Sequence, residues 1–194
     1  MRAMLLKSGL IAVAALLGGQ SGPAARAADS YSIDPAHSSV TFKIEHLGLS
    51  WIHGRFNEAS GDFRVDADNP SASRFALTIK TESIDTANKK RDEHLASPDF
   101  FNAKQFPVIS FKSTAVKAVE QGLEVTGDFT LHGETKPVTF LLTGGKTGEF
   151  PAGVRRTGYS THLKIKRSDH GMDKMREVVG DEVHVEISFQ GVKS

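Results

Sequence analysis

The residues of this chain best suited to chemistry are eight histidines, together with serines and aspartates scattered along its length. None of the histidines falls in an HExxH motif or in another tight ligand spacing, so the pattern does not predict a metal site. No serine lies in a GxSxG nucleophile elbow, and no glycine-rich loop that could cradle a phosphate is present. The sequence therefore predicts no catalytic residue, no metal and no cofactor.

His46 is the histidine best placed to meet a bound molecule, because it continues the apolar phase of Phe42 and Ile44. Two interpretations remain open: the imidazole contacts the polar head of a ligand, or a neighbouring backbone carbonyl satisfies it. An enzyme acting on a lipid would need His46 beside a carboxylate such as Asp92. The sequence alone does not bring these two side chains together.

The elements that must position such residues are strands, because most of the chain alternates apolar and polar residues with a period of two. Turn residues such as Gly122 and the His132-Gly133 pair separate the runs, and about eight strands fit. Closing an antiparallel meander into a barrel removes its exposed edges. The predicted fold is thus all-β, an extended antiparallel barrel of about eight strands.

The interior of such a barrel is predicted to be lined by the apolar phases of the strands. With 12 phenylalanines against two tyrosines and one tryptophan, that interior is rich in rings without a polar atom. A barrel of about eight strands either is filled by its own side chains or holds one small ligand, and alternation leaves both outcomes open. The candidate ligand-binding residues are Phe42, Ile44, His46, Phe56, Leu77, Ile79, Phe111, Val125, Phe129, Phe140, Val185, Ile187 and Phe189.

One segment, residues 88–103, breaks the alternation. Its charges are typical of a short helix, which Pro98 should end or kink. Leu95, Phe100, Phe101 and Phe106 would then form a compact apolar face. The segment either caps one end of the barrel or is a surface loop anchored by its phenylalanines.

The first 27 residues predict export. Arg2 and Lys7 precede an apolar stretch over residues 9–19, and Ala25-Arg26-Ala27 follows as a small-x-small site, which is the order of a cleaved secretory signal peptide. We therefore expect a single domain over residues 28–194 in the periplasm, with no transmembrane segment after cleavage. That domain carries 21 basic and 23 acidic residues and no cysteine, a balance that does not favour a nucleic-acid partner.

A succession of short segments resembles the YceI-like family of exported bacterial proteins across essentially the whole of residues 28–194. The spacing is weakest around residues 150–156. The matching segments are 31–40 (YSIDPAHSSV), 42–48 (FKIEHLG), 54–56 (GRF), 61–63 (GDF), 91–95 (RDEHL), 99–101 (DFF), 106–111 (FPVISF), 127–133 (GDFTLHG), 135–138 (TKPV) and 167–172 (RSDHGM).

The resemblance implies a lipocalin-like barrel in the periplasm that binds a long polyisoprenoid lipid or an isoprenoid quinone. It also implies a role in envelope or stress physiology, and often a homodimer. A binding protein without enzymatic activity is the favoured interpretation. The alternatives are an enzyme that acts on a prenyl or lipid compound, and a solid barrel that binds an envelope protein as a scaffold.

Overall fold

The computed structural model describes residues 28–194, and the signal peptide predicted at residues 1–27 lies outside them. Within the described part, one antiparallel sheet contains every strand, and a single α-helix interrupts it. The elements are β1 (Asp29–Ile33), β2 (Ser39–His46), β3 (Ser50–Phe56), β4 (Ala59–Val65), β5 (Arg74–Lys80), β6 (Ile84–Asp85), α1 (Lys89–Ala96), β7 (Val108–Val119), β8 (Gly122–Leu131), β9 (Glu134–Glu149), β10 (Arg155–Lys166) and β11 (Val179–Lys193).

Eight of these strands close into a barrel in the order β1-β4-β5-β7-β8-β9-β10-β11, and β1 pairs with β11 to complete the ring. This closure confirms the all-β class and the count of about eight strands. The sheet also has three further strands, β2, β3 and β6, that branch from β11. The branch exists because β11 is long: residues 191–193 pair with β1, whereas residues 179–188 pair with β2.

The two turns expected from the sequence join neighbouring strands. Only Glu120 and Gln121 lie between β7 and β8, and only His132 and Gly133 lie between β8 and β9. His132 and Gly133 both have positive φ, 52° and 80°, as in the type I′ turn whose twist suits two-residue hairpins. These hairpins fix the registers that follow along β7, β8 and β9.

The helical excursion is also confirmed. The Asn88 side chain accepts a hydrogen bond from the Arg91 backbone N–H at 3.1 Å and so caps the N terminus of α1. The helix ends at Ala96, because Ser97 is extended ahead of Pro98. Residues 97–103 then fold back on the helix, where Phe101 N–H donates to the Leu95 carbonyl at 2.9 Å.

One end of the barrel is filled by a cluster of aromatic side chains. Phe63 is at its centre, with ring centroids 5.1 Å from Tyr31, 5.7 Å from Phe75, 6.0 Å from Tyr159 and 5.3 Å from Phe189. Stacked and edge-to-face pairs at these distances stabilise beyond the burial of their area alone. This end of the barrel is therefore plugged.

Asp34 ties the end of β1 to β10, and it predicts a pH dependence of stability. The hydrogen bond from Arg156, together with the contact of His37 Nδ1 at 2.8 Å, lowers the pKa of Asp34 from 3.8 to about 2. A carboxyl with a depressed pKa contributes stability above its unfolded pKa and loses that contribution as the pH falls. We expect D34N to have a lower unfolding temperature than the unsubstituted protein at neutral pH, and the two to converge between about pH 4 and pH 2.

Thermal unfolding followed by circular dichroism across this pH range tests the expectation. Asp68→Asn is the matched control, because the Asp68 carboxylate is exposed and accepts no hydrogen bond within residues 28–194. Unfolding temperatures of D34N that run parallel to those of the unsubstituted protein down to about pH 2 would contradict it.

Candidate ligand-binding cavity

A cavity of about 380 Å³ lies inside the barrel, within the size range of small-molecule sites. Thirty of the 38 residues that line it are apolar, and ten of the 12 phenylalanines of the chain are among them. The two that are not are Phe106, which packs against His132, and Phe150, which is exposed. The barrel is therefore hollow between its plugged end and the helical excursion.

Strand register explains why these side chains meet. Phe42 of β2 lies opposite Val185 of β11, and Val185 lies opposite Leu163 of β10. On the other wall, Leu77 lies opposite Phe111, and Phe111 lies opposite Phe129. Since successive side chains of a strand point to opposite faces, the apolar phase of each strand faces the cavity.

Twelve of the 13 candidate residues line this cavity, and whether they bind a ligand stays a prediction. Val125 is the exception: it is fully buried and packs among the side chains around the aromatic plug. The twelve are Phe42, Ile44, His46, Phe56, Leu77, Ile79, Phe111, Phe129, Phe140, Val185, Ile187 and Phe189.

The helical excursion covers the other end of the cavity. Leu95, Phe100 and Phe101 line the cavity from α1 and the turns that follow it, and Phe101 meets Phe56 edge to face at 5.7 Å. The capping interpretation of residues 88–103 is therefore the one that the structure supports. Phe106 is the part of the predicted face that packs elsewhere, against the β8–β9 turn.

Polar groups are concentrated at this covered end, which we call the mouth. They come from the end of β2 and from the chain entering and forming α1, and they stand at the edge of an otherwise apolar wall. Three further polar side chains, Ser110, Thr161 and Arg167, also line the cavity. The Thr161 hydroxyl is buried and has no hydrogen-bond partner within residues 28–194. The polar residues at the mouth are Glu45, His46, Thr86, Arg91 and His94.

The structure separates the two side chains that an enzyme would need together. His46 lines the cavity, and no side chain or backbone carbonyl among the described residues bonds to its imidazole. Asp92 Oδ1 instead accepts hydrogen bonds from the Thr86 backbone N–H at 2.9 Å and from the Thr86 hydroxyl at 2.5 Å. Its carboxylate borders a separate surface hollow, so no His46–Asp92 pair faces the cavity.

The side chain of Arg167 is hydrogen-bonded to several backbone carbonyls beside the mouth. It is only 3% exposed, and its guanidinium donates to the carbonyls of Gly180, Met172, Lys174 and Val179 at 2.5–2.9 Å. Burial lowers the pKa of Arg167 from its ordinary value, while these four acceptors satisfy the donors. The residue thus fixes the loop between β10 and β11 in one conformation.

Ser168 continues the same arrangement. Its backbone N–H and its hydroxyl both donate to the Asp181 carboxylate, at 3.0 and 2.8 Å. Desolvation raises the pKa of Asp181, but these two hydrogen bonds, together with the charges of Arg176 and Arg167, hold it below the ordinary value. Arg167 and Ser168 therefore hold the chain around the β10–β11 loop in place through these hydrogen bonds.

Sequence reasoning did not anticipate the contribution of the β10–β11 loop. Met172 and Met175 line the cavity, yet the loop has no alternation that would mark an inward face. Leu163 and Ile165 also line it, and the period-two pattern of β10 was the signal that identified their phase.

Two classes of feature are not found among residues 28–194. No group of three or more histidine, aspartate or glutamate side chains there is close enough together to hold a metal ion. In the same residues, no helix has the length and apolar character needed to cross a bilayer.

Comparison with known proteins gives a consistent family and fold. The model of the YceI-like domain matches residues 31–191. Protein YceI of Salmonella arizonae is 40% identical over 168 residues, which cover 86% of this chain and 88% of that protein. The crystal structure of a Campylobacter jejuni YceI protein has a TM-score of 0.69 at 27% identity, covering 77% of this chain and 90% of that one.

A more distant structure shares the fold alone. It is described as a polyisoprenoid binding domain from Saccharophagus degradans, and it has a TM-score of 0.64 at 18% identity. The match covers 84% of this chain and 98% of that one.

Proposed function

Because this chain belongs to the YceI-like family, we propose that it is a carrier that holds one long isoprenoid lipid inside its barrel. The cargo is a polyprenyl compound or an isoprenoid quinone. The observation that carries the proposal is the apolar cavity of about 380 Å³, which has five of its eight polar lining residues at the mouth. We further propose that the carrier works in the periplasm, in envelope or stress physiology.

The physical need for such a carrier is clear. A prenyl chain is a run of branched five-carbon units, each of which costs several kcal/mol in water at ~0.8 kcal/mol per CH₂. Such a lipid crosses an aqueous compartment only if its tail is covered. The ten phenylalanines and the aliphatic side chains of the cavity wall provide that cover, because they carry no polar atoms of their own.

The asymmetry of the cavity supports a defined orientation of the cargo. The aromatic plug around Phe63 closes one end, so the tail tip would lie there, and the polar head would lie at the mouth near His46, Arg91 and His94. The unpartnered Thr161 hydroxyl offers one further hydrogen bond along the wall. Specificity would then depend on the length and bore of the cavity and on these few polar groups.

The polyisoprenoid-binding description of the Saccharophagus degradans domain supports the class of cargo. The signal-peptide pattern over residues 1–27 supports the compartment. Asp92 does not line the cavity with His46, so this pair does not support the enzyme alternative.

The test is to identify what the protein carries. Protein purified gently from its native envelope fraction is denatured and extracted with organic solvent, and the extract is analysed by mass spectrometry. We expect one isoprenoid lipid in about stoichiometric amount, strongly enriched relative to the total envelope extract, which serves as the control for contamination. Repeated extraction of a folded protein that yields no such lipid would refute the carrier function.

A further inference from the structure

Four large apolar side chains are exposed together beside the mouth, and we call them the apolar rim. Leu49 is 82% exposed, Leu47 52%, Trp51 42% and Met175 36%. Isolated exposed apolar residues are ordinary, but a cluster of them marks an interaction surface. The tip of the β2–β3 hairpin supplies three of the four, and the β10–β11 loop supplies the fourth.

The rim is continuous with the cavity. Leu47 N–H donates to the Val178 carbonyl at 2.8 Å, and Val178 N–H donates to the Met175 carbonyl at 3.1 Å. The hairpin tip and the loop are therefore bonded to each other. Met175 and the adjacent His46 both line the cavity, so the rim flanks the mouth of the cavity.

Basic side chains lie beside the rim on the outer face of the hairpin. Lys43 Nζ lies 4.7 Å above the centre of the Trp51 ring, and Lys43 is opposite His53 in the β2–β3 register. Arg55 follows on the same face. Within residues 28–194 none of these three side chains is within ion-pair distance of a carboxylate. Glu45, opposite Trp51, is the acidic residue of this face of the hairpin, and Asp85 of β6 lies opposite Arg55.

We propose that the apolar rim inserts into the surface of an anionic lipid bilayer, so that the mouth opens directly onto the membrane. Leucine side chains enter the acyl boundary, and tryptophan prefers the interface, where its ring has one apolar and one wet side. Lys43, His53 and Arg55 would face the anionic headgroups. The proposal deepens the carrier function and rests on it, since a lipid cargo must leave a membrane without crossing water.

A second copy of this chain fits the rim less well than a bilayer does. A fully exposed large side chain presents at most ~250 Å² of surface, so the four roughly half-exposed side chains of the rim together present about 500 Å². A stable protein interface buries ~800 Å² on each partner. A bilayer needs no matching surface of that size, because any inserted apolar area contributes.

The test uses the only tryptophan of the chain as its own probe, because Trp51 lies in the rim. Protein recovered from the exported fraction is mixed with vesicles of phosphatidylglycerol and phosphatidylethanolamine. We expect a blue shift of the Trp51 emission, quenching by brominated acyl chains, and flotation with the vesicles. Leu49→Asp should weaken binding at least ~10-fold, since burying one leucine side chain is worth about that factor.

Phe150→Asp is the matched control. Phe150 is 79% exposed and lies before β10, at the opposite end of that strand from Arg167 and the mouth. The F150D variant should bind vesicles as well as the unsubstituted protein does. Because both positions are exposed, both variants should fold, which circular dichroism checks; Leu49→Ser replaces L49D if the latter does not.

The outcomes separate this proposal from the carrier function. An unchanged Trp51 spectrum with vesicles, equal losses in L49D and F150D, or a dimer that L49D dissociates would each overturn membrane insertion by the rim. Extractable isoprenoid lipid without vesicle binding overturns only the rim proposal. Vesicle binding that depends on Leu49, without extractable lipid, supports the rim and overturns the carrier.

Discussion

Replacement of Val185 by tryptophan is expected to remove most of the bound lipid, at least ~10-fold, while the barrel stays folded. Val185 lies in the middle of the cavity wall, between Phe42 of β2 and Leu163 of β10. An indole at this position would occupy the space that the tail of the cargo needs. Because the space is open, the larger ring should be accommodated with little loss in the free energy of unfolding.

The measurement pairs solvent extraction and mass spectrometry with denaturant unfolding. Glu186→Trp is the matched control, since Glu186 is the next residue of β11 and points to the exposed outer face. The E186W variant should contain as much bound lipid as the unsubstituted protein does. A solid barrel would respond differently, because inserting bulk into a packed core costs ~1–3 kcal/mol. Destabilisation of that size in V185W, with no lipid in either variant, would indicate a filled interior.

Replacement of Arg167 by alanine should have the largest effect on stability, lowering the free energy of unfolding by about 3 kcal/mol or more. The substitution leaves four backbone carbonyls at the mouth without their donor. A buried polar group that loses its partner costs ~1–3 kcal/mol, and breaking a buried network is one of the few routes to large effects. For a domain of this size, about 3 kcal/mol corresponds to a fall of roughly 6–12 °C in Tm.

Chemical and thermal unfolding measure this change, and Lys166→Ala provides the control. Lys166 is the preceding residue and is exposed. K166A should therefore change the free energy of unfolding by no more than about 0.5 kcal/mol. R167A should also release the loop that carries Met172 and Met175, and lipid retention at neutral pH should fall with it. An R167A protein as stable as K166A would show that the four hydrogen bonds contribute nothing measurable.

Together these variants test the separate contributions of two parts of the cavity. The wall around Val185 determines whether the cargo fits, whereas the network of Arg167 determines whether the mouth keeps its shape. The plug around Phe63 forms the closed end. A carrier needs all three, because a tube that is open at both ends would expose the tail to water.

Much of the barrel could be predicted from the sequence because its signal is local. The period of two in β11 assigns Val185, Ile187 and Phe189 to one face without any knowledge of their neighbours, and the structure places all three at the cavity. Asn88 and Pro98 likewise bracket α1 through local capping and steric effects. The order of short segments was sufficient to identify the family.

Other features depend on pairings between residues far apart in the chain. Thr41 and Glu186 are 145 residues apart, yet their strands are neighbours, and β11 is shared between β1 and β2. Alternation states which way a side chain points but not which strand lies beside it. The branching of β2, β3 and β6 outside the closed ring and the burial of Val125 beside the aromatic plug were therefore outside the reach of the pattern.

The amino-acid sequence by itself determined most of the strands, the inward apolar faces and the helical excursion, because each of these depends on neighbouring residues. The order of short segments along the chain determined the family. Only the tertiary structure decided that the barrel is hollow, that Arg167 clamps the mouth and that Leu47, Leu49, Trp51 and Met175 meet at its rim. The physical reason is that a cavity and a rim are properties of the space between elements. That space is set by strand register and closure, which no local pattern contains.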